Sequence, residues 1–457
     1  MNNWAVAAPA RKPCASLQND FVPDDEGDAK ALAALFVYTV PLFMANSVHD
    51  GLLPTLDRLR YWKLHVPFLY DMCVVHRMNS PVVAAAWLPG ESPDTQRFMV
   101  ATRRFERRRD QHNCVFTGSL CAPLEEEGGW DNDGEYAEGT EDAADEVGHS
   151  APGNSQGGID ITNRVLLPED VFRVKVSPSN SCLLAVQMSG GSLWMINSEA
   201  QGEVKPLIDL HGLDREGFGL DFHSQRHNML LSASFSGRTC VWDVSGSSSA
   251  LWSAKNIQAQ VEDCCWCPSI SSSQVLATVA SDNHLRLYDT RCSGDPVSVL
   301  KQSSPFLCCA CSPLSNLLVT GRQDSIISVF DPRRMGGGDV LCGSLTFHRS
   351  AVYTIAFHPH RSNLFATGDA DGQVAVWDLN RSHLMQPHSD LKNGHVCLGF
   401  VHGGHKERCD LSYFCFKSMR SRHAPPLLPS CALSFFQSHR HGLESQSTSR
   451  LVTVVCR

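Results

Sequence analysis

Apolar and polar positions follow one order five times between Val171 and Asn380. Each unit opens with a short apolar run closed by a polar residue or Pro: VFRVKVSP, GFGLDFH, VEDCCWCP, FLCCACSP and VYTIAFHP. A second run follows: CLLAVQ, MLLSAS, QVLATVAS, NLLVTG and NLFATG. A turn residue comes next (Gly190, Ser236, Asp282, Asp324 or Asp371), and seven residues later an anchor ends a third run, in LWMIN, VWDVS, LYDTR, VFDPR and VWDLN. Short apolar runs punctuated by turn formers predict strands and hairpins. The anchors Asn197, Asp243, Asp289, Asp331 and Asp378 lie 46, 46, 42 and 47 residues apart. That spacing is close to the ~40–45 residues of a four-stranded propeller blade. A single such sheet cannot cover both its faces, so the units are expected to stack radially. On this reading the Trp-Asp ending is a packing device, with Trp377 filling space between blades and Asp378 ending a strand.

The pattern extends on both sides. SPVVAAAWLPG and RFMVATRR have the form of another blade's first strands, with an acidic loop over 122–162 inserted after them. GGHKERCDLSYF has the form of the start of a seventh blade. After Phe416 the repeat is lost in a stretch rich in Ser, His, Arg and Pro, so 417–457 is expected to be a degenerate last blade or a divergent tail. Residues 1–50 are expected to be a poorly ordered extension, followed by an N-terminal helix and the repeats over 51–416. Leu52, Leu56, Leu59 and Trp62 fall on one helical face, and Pro54 suits a first helical turn. The expected fold is therefore all-β: a seven-bladed propeller with an N-terminal helix.

Charge changes the picture locally. Of the formal charge of −9, the segment from Glu125 to Glu146 carries eleven Asp or Glu and no Lys or Arg, leaving about +2 for the rest. Such a segment is solvated rather than core, and it suits a basic partner better than non-specific nucleic acid. RRFERRR, from Arg103 to Arg109, reads as a solvated basic loop, with nuclear import or nucleic-acid contact as the alternative. The nineteen cysteines lie in apolar runs without the framework of a small secreted domain, and they read as buried thiols. Cys308 and Cys311 have metal-pair spacing, yet no second pair follows at zinc-ligand distance. The uncharged run Ala31–Ala45 is fifteen residues long, contains Pro41 and is short for a bilayer. No phosphate-binding loop or catalytic triad is legible, so neither an enzyme nor a cofactor is expected.

YWKLHVPFLYDMCVVHRMNSPVVAAAWLP, from Tyr61 to Pro89, with REGFGLDF, VEDCCW, LYDTR and FVHGGH in order after it, resembles the histone-binding WD-repeat family. That family contains the retinoblastoma-binding proteins and the small subunit of chromatin assembly factor. The resemblance covers roughly Leu52 to Phe416 and implies a non-catalytic, nuclear scaffold. It implies core histones as partners, with subunits of chromatin assembly, deacetylase, acetyltransferase or methyltransferase complexes. Neither a membrane partner nor sequence-specific nucleic-acid contact is implied.

Carried over position by position, the resemblance implies a histone-tail site on one propeller face at Asp170, Arg173, Glu216, Phe218, Glu262 and Tyr353. Carboxylates there would pair with a Lys or Arg, and the aromatics would cover its stem or cationic face. Ser281, Leu307 and Ala351 depart from the family's polar or acidic positions. The same likeness implies a rim groove for a histone helix at Leu56, Leu59, Trp62 and Asp390. Its acidic clamp is reduced here to Asp390 within RSHLMQPHSDLKNGHVCLG, so strong helix capture is not expected. The rival reading is a substrate receptor of a cullin-type ubiquitin ligase. YDTR and FDPR resemble the docking pattern of such receptors, a pattern shared by many WD proteins.

Overall fold

The computed structural model describes residues 70–78, 80, 82–88, 95–104, 113–121, 159–268, 274–335, 341–383, 395–403, 413–418, 431–436 and 449–456. Its architecture is an all-β WD-repeat propeller, and the few helices among the described residues are short 3-10 turns. Six sheets follow one another along the chain. The first contains Val82–Leu88, Thr95–Thr102, Asn113–Cys121 and Ile159–Leu167, with the short strand Gly202–Glu203 added in parallel at its edge. The second contains Val171–Val176, Leu183–Met188, Leu193–Asn197 and Ile208–Leu210. Gly219–Phe222, Met229–Ala233, Thr239–Asp243 and Trp252–Ser253 form the third. Val261–Trp266, Val275–Ala280, His284–Asp289 and Ser298–Lys301 form the fourth. The fifth runs through Phe306–Cys311, Leu318–Arg322, Ile327–Phe330 and Leu341–Leu345. The sixth is Val352–Phe357, Leu364–Asp369, Val374–Asp378 and Leu398–His402.

A further sheet joins the two ends of the chain. Tyr70–Met78 pairs antiparallel with Ser449–Cys456, which pairs with Cys431–Phe436 and then Tyr413–Ser418. No repeat is legible over these last strands, yet CALSFF and SRLVTVVC are apolar runs able to pair. The inserted acidic loop is shorter than its sequence suggests. Residues 159–162 belong to Ile159–Leu167, whose β-branched residues pair with Asn113–Cys121 from Leu120↔Ile159 onward. The expected N-terminal helix, with Leu56, Leu59 and Trp62, lies outside the described residues, as do Asp390 and the run Ala31–Ala45. Among the described residues no helix is long and apolar enough to cross a membrane.

The first strand of each sheet meets the first strand of the next, so hydrophobic burial runs between sheets. Trp377 of the sixth sheet is fully buried in a cluster with Cys308, Val319 and Ile327 of the fifth. Trp242 packs likewise against Ala185 and Met195 of the neighbouring sheet. The anchoring Asp of each repeat has a definite task. Asp243, Asp289, Asp331 and Asp378 each accept the backbone N–H two residues on, at 3.0–3.1 Å, and so turn the chain after the third strand. This is the structural role expected of Asp378.

One buried polar network completes the sixth sheet. Trp377 Nε1 donates to Thr367 Oγ1 (2.8 Å), which lies 2.7 Å from His348 Nε2, and His348 Nδ1 lies 2.9 Å from Asp369 Oδ2. With the ring proton on Nδ1, every donor in the chain has one acceptor. Asp369 Oδ1 also accepts from the backbone N–H groups of Asp371 (3.1 Å) and Gln373 (2.8 Å), fixing the hairpin. Asp369→Ala removes both sets of bonds from a fully buried place and is expected to destabilise the fold by roughly 3 kcal/mol. Lys255→Ala breaks only the exposed pair with Asp295 (2.6 Å) and is expected to cost under about 1 kcal/mol. Denaturant unfolding of the two variants checks the contrast.

Candidate functional site

The turn leading into each first strand is fixed by a backbone bond from the hairpin of the same sheet. Ser189 donates to the Asp170 carbonyl, Phe235 to Glu216, Ser281 to Gln260, Gln323 to Pro305 and Ala370 to Ala351, all at 2.8–3.0 Å. Asp170 and Glu216 therefore hold the same place in successive sheets. Glu262 does not: it stands two residues further on, where Gln260 holds their place.

That further position is a bulge. Register slips between Val82 and Ala84, Val171 and Arg173, Val261 and Asp263, Phe306 and Cys308, and Val352 and Thr354. The extra residue at each slip is Val83, Phe172, Glu262, Leu307 or Tyr353, and Phe218 stands in the same relation to its own strand. A bulge breaks pairing and re-aims a side chain at the end of a strand. The repeat thus generates one non-pairing position per sheet at the same end of the propeller. Three aromatics, one carboxylate and two aliphatics fill it in these six sheets.

The aromatics meet. Phe172 and Phe218 have ring centroids 5.6 Å apart, and Phe218 lies 5.4 Å from Phe235 in an edge-on contact. The Arg103 guanidinium, from the hairpin of the first sheet, lies over Phe172 at 5.7 Å, within cation–π range. The first residue of the basic run is thus at the same end of the molecule as the expected site. Glu262 is half-buried, and burial followed by the charge of Asp263 raises its carboxyl above the usual range. Nearby acids are already engaged. Glu169 accepts from the hydroxyls of Ser189 (3.3 Å) and Ser192 (3.1 Å), and the Ser236 hydroxyl bond holds the Asp214 carboxyl below its usual range.

Beneath the mouth, the first strands carry charges that the sequence reading passed over. Asp263 is buried and accepts from the backbone N–H of Cys264 (2.9 Å) and of Cys309 (3.1 Å), tying the fourth sheet to the fifth. Burial raises its pKa, and the charge of Arg173 opposes the rise. Asp221 accepts from the Trp266 N–H (3.0 Å) and pairs with Lys175 Nζ (3.7 Å). Arg173 thus faces an internal carboxylate. The overlooked signal was a charged residue inside an apolar strand, in VFRVKV, GLDF and VEDCCW.

Elsewhere, the YDTR and FDPR arginines are turned back on their own repeats, Arg291 Nε donating to Asp289 (2.9 Å) and Arg333 Nε to Asp331 (3.0 Å). Among the described residues no group of three His, Cys, Asp or Glu is disposed to hold a metal ion.

Comparison with known proteins agrees with this architecture. Residues 57–121 match the family model for the histone-binding protein RBBP4 and its counterpart in the CAF1 complex. Residues 294–331 and 340–378 match the WD domain, G-beta repeat. The chain is 23% identical over 368 residues, 77% of its own length and 81% of the relative's, to histone acetyltransferase type B subunit 2 of Candida glabrata.

The raised pKa of Glu262 has a stability consequence. The folded state binds its proton more readily than the unfolded chain, so the contribution favours folding at low pH and is lost as pH rises through the raised folded value. Glu262→Gln is therefore expected to make the protein more stable than wild type at neutral pH, with the difference shrinking as pH falls toward the unfolded carboxylate value. Thermal melts across pH check this. On the sequence matches and the repeat geometry together, the chain is a divergent WD-repeat protein of the RBBP4/CAF1 type.

Proposed function

We propose that this protein is a non-catalytic histone-binding scaffold subunit of chromatin complexes, and that it takes a basic histone tail at the mouth formed by its first-strand starts. The observation that carries the site is the bulged position of each repeat, which brings Phe172 and Phe218 into contact at 5.6 Å and sets Glu262 in the next sheet. Asp170 and Glu216 hold the loops just outside that ring, and Tyr353 holds the matching bulge of the sixth sheet. A Lys or Arg entering there would exchange water for carboxylates and aromatic faces. Each charge-assisted hydrogen bond in such a setting contributes about 1.5–3 kcal/mol. Arg173 acts from below by balancing Asp263 and does not itself touch the ligand.

The proposal includes a nuclear location and a propeller closed by seven blades. In the last blade Tyr70–Met78 supplies the outer strand from the N-terminal side and Tyr413–Ser418 the inner one. The relative's name, which places it with a histone acetyltransferase, supports an acetyltransferase complex as one home for the chain. Deacetylase, methyltransferase and assembly complexes are further homes the family likeness suggests. The rim groove at Leu56, Leu59, Trp62 and Asp390 remains a secondary histone-helix site in this proposal, weakened by its single acid.

Peptide pull-down with core histone tails tests the reading. Capture is expected to fall steeply as salt rises, because the contact is largely ionic and solvent-accessible. Glu216→Lys is expected to weaken tail affinity tenfold or more, about 1.4 kcal/mol. Unchanged affinity in that variant removes Glu216 from the site. Co-purification with a cullin-type ligase and no histone would favour the substrate-receptor reading instead.

A further inference from the structure

The fourth and fifth sheets meet along a row of thiols that the histone reading does not use. Val261–Trp266 and the residue after it carry Cys264, Cys265 and Cys267, while Phe306–Cys311 carries Cys308, Cys309 and Cys311. Side chains alternate along a strand, so neighbouring cysteines face opposite ways. Cys264 faces the third sheet, where its sulfur would lie 2.9 Å from a Cβ added at Gly219. Cys308 faces the sixth and donates to the Val352 carbonyl at 3.4 Å. Burial pushes both thiols up, which leaves them inert.

Cys265, Cys267 and Cys309 are instead buried in one cluster between the fourth and fifth sheets, with half-buried Cys311 packed against it. The thiols touch in sequence: Cys265 hydrogen-bonds with Cys309 and with Cys267, and Cys267 with Cys311. The two first strands share no ladder, each being bonded only within its own sheet. Cys311 is the solvent-accessible end of the row.

We propose that Cys267 and Cys311 are a redox modification site, forming a reversible disulfide that fastens the fourth sheet to the fifth when the protein meets a peroxide. Hydrogen peroxide would oxidise the accessible Cys311 thiol to a sulfenic acid with release of one water. The Cys267 sulfur then displaces the hydroxyl, forming the S–S bond and a second water. Two equivalents of a small thiol return both cysteines and leave that thiol as its own disulfide. Cys309 and Cys265 continue the row inward, where burial keeps peroxide away from them. The link would be covalent across a joint otherwise held by packing and by the two hydrogen bonds of Asp263.

The test uses the full chain treated with hydrogen peroxide, alkylated, and digested with trypsin without reduction. The expected product is a reducible link between peptides 256–286 and 302–322, assigned by fragmentation to Cys267 and Cys311. Cys311→Ser is expected to lower its yield at least tenfold, and Cys311→Ala, which keeps apolar packing, is expected to do the same. Cys292→Ser, at an exposed thiol, should leave the yield unchanged. The proposal is overturned if the link survives in both Cys311 variants. It is equally overturned if fragmentation assigns it to Cys265 and Cys309, or if only Cys292 and Cys342 react. Histone-tail affinity is measured separately, so failure of either reading leaves the other standing.

Discussion

Sheet-to-sheet packing of the first strands is the constraint from which the rest of the molecule follows. A four-stranded antiparallel sheet with two apolar faces has nowhere to bury them except against copies of itself, and the repeat supplies the copies. The large side chains that make this possible, Trp242, Trp377, Tyr288, Phe330 and Phe365, are fully buried between neighbours. Because each sheet repeats the same register, the irregularity at the start of its first strand is repeated too. The functional mouth is thus a by-product of the packing solution: one unpaired, outward-aimed residue per sheet, free to vary in chemistry without disturbing the ladder.

Variation at that position sets what the mouth can hold. Phe172, Phe218 and Tyr353 provide apolar and π surface, Glu262 provides charge, and Val83 and Leu307 provide neither. Placing a carboxylate there is unfavourable to the free protein, since burial and the neighbouring Asp263 both resist its ionisation. A cation arriving from a ligand would relieve that cost. Arg103 over Phe172 shows one way the molecule already supplies a cation of its own to the same wall. The internal charges below, Arg173 and Lys175 against Asp221 and Asp263, set the field under the mouth and join adjacent sheets.

Much of the fold was legible because its signals are local and periodic. The recurrence of Trp-Asp endings and turn residues marks the sheets from Val171 to Asp378 one by one. Where periodicity lapses, so did the reading. CALSFF and SRLVTVVC pair with each other and with Tyr70–Met78, a strand hundreds of residues away in sequence, and no local pattern announces such a partnership. The strand at Ile159 was absorbed into the acidic loop because composition outweighed its β-branched alternation. At the site, the loop acids Asp170 and Glu216 were legible by position, but Glu262 was grouped with them although it belongs with the aromatics. A one-residue bulge in each strand is invisible to a reading that counts offsets, and it decides which side chains share a ring. Asp221 and Asp263 were passed over for the opposite reason: they lie inside apolar strands, where a charge is itself the signal.

Site-specific photo-crosslinking tests the central claim most directly. A photoreactive phenylalanine analogue at Phe218, in the mouth, is compared with the same analogue at Leu314, exposed in the turn at the other end of a first strand. The account predicts that a core histone tail peptide is captured from position 218 and not from position 314. Capture from position 314 with none from position 218 would contradict it.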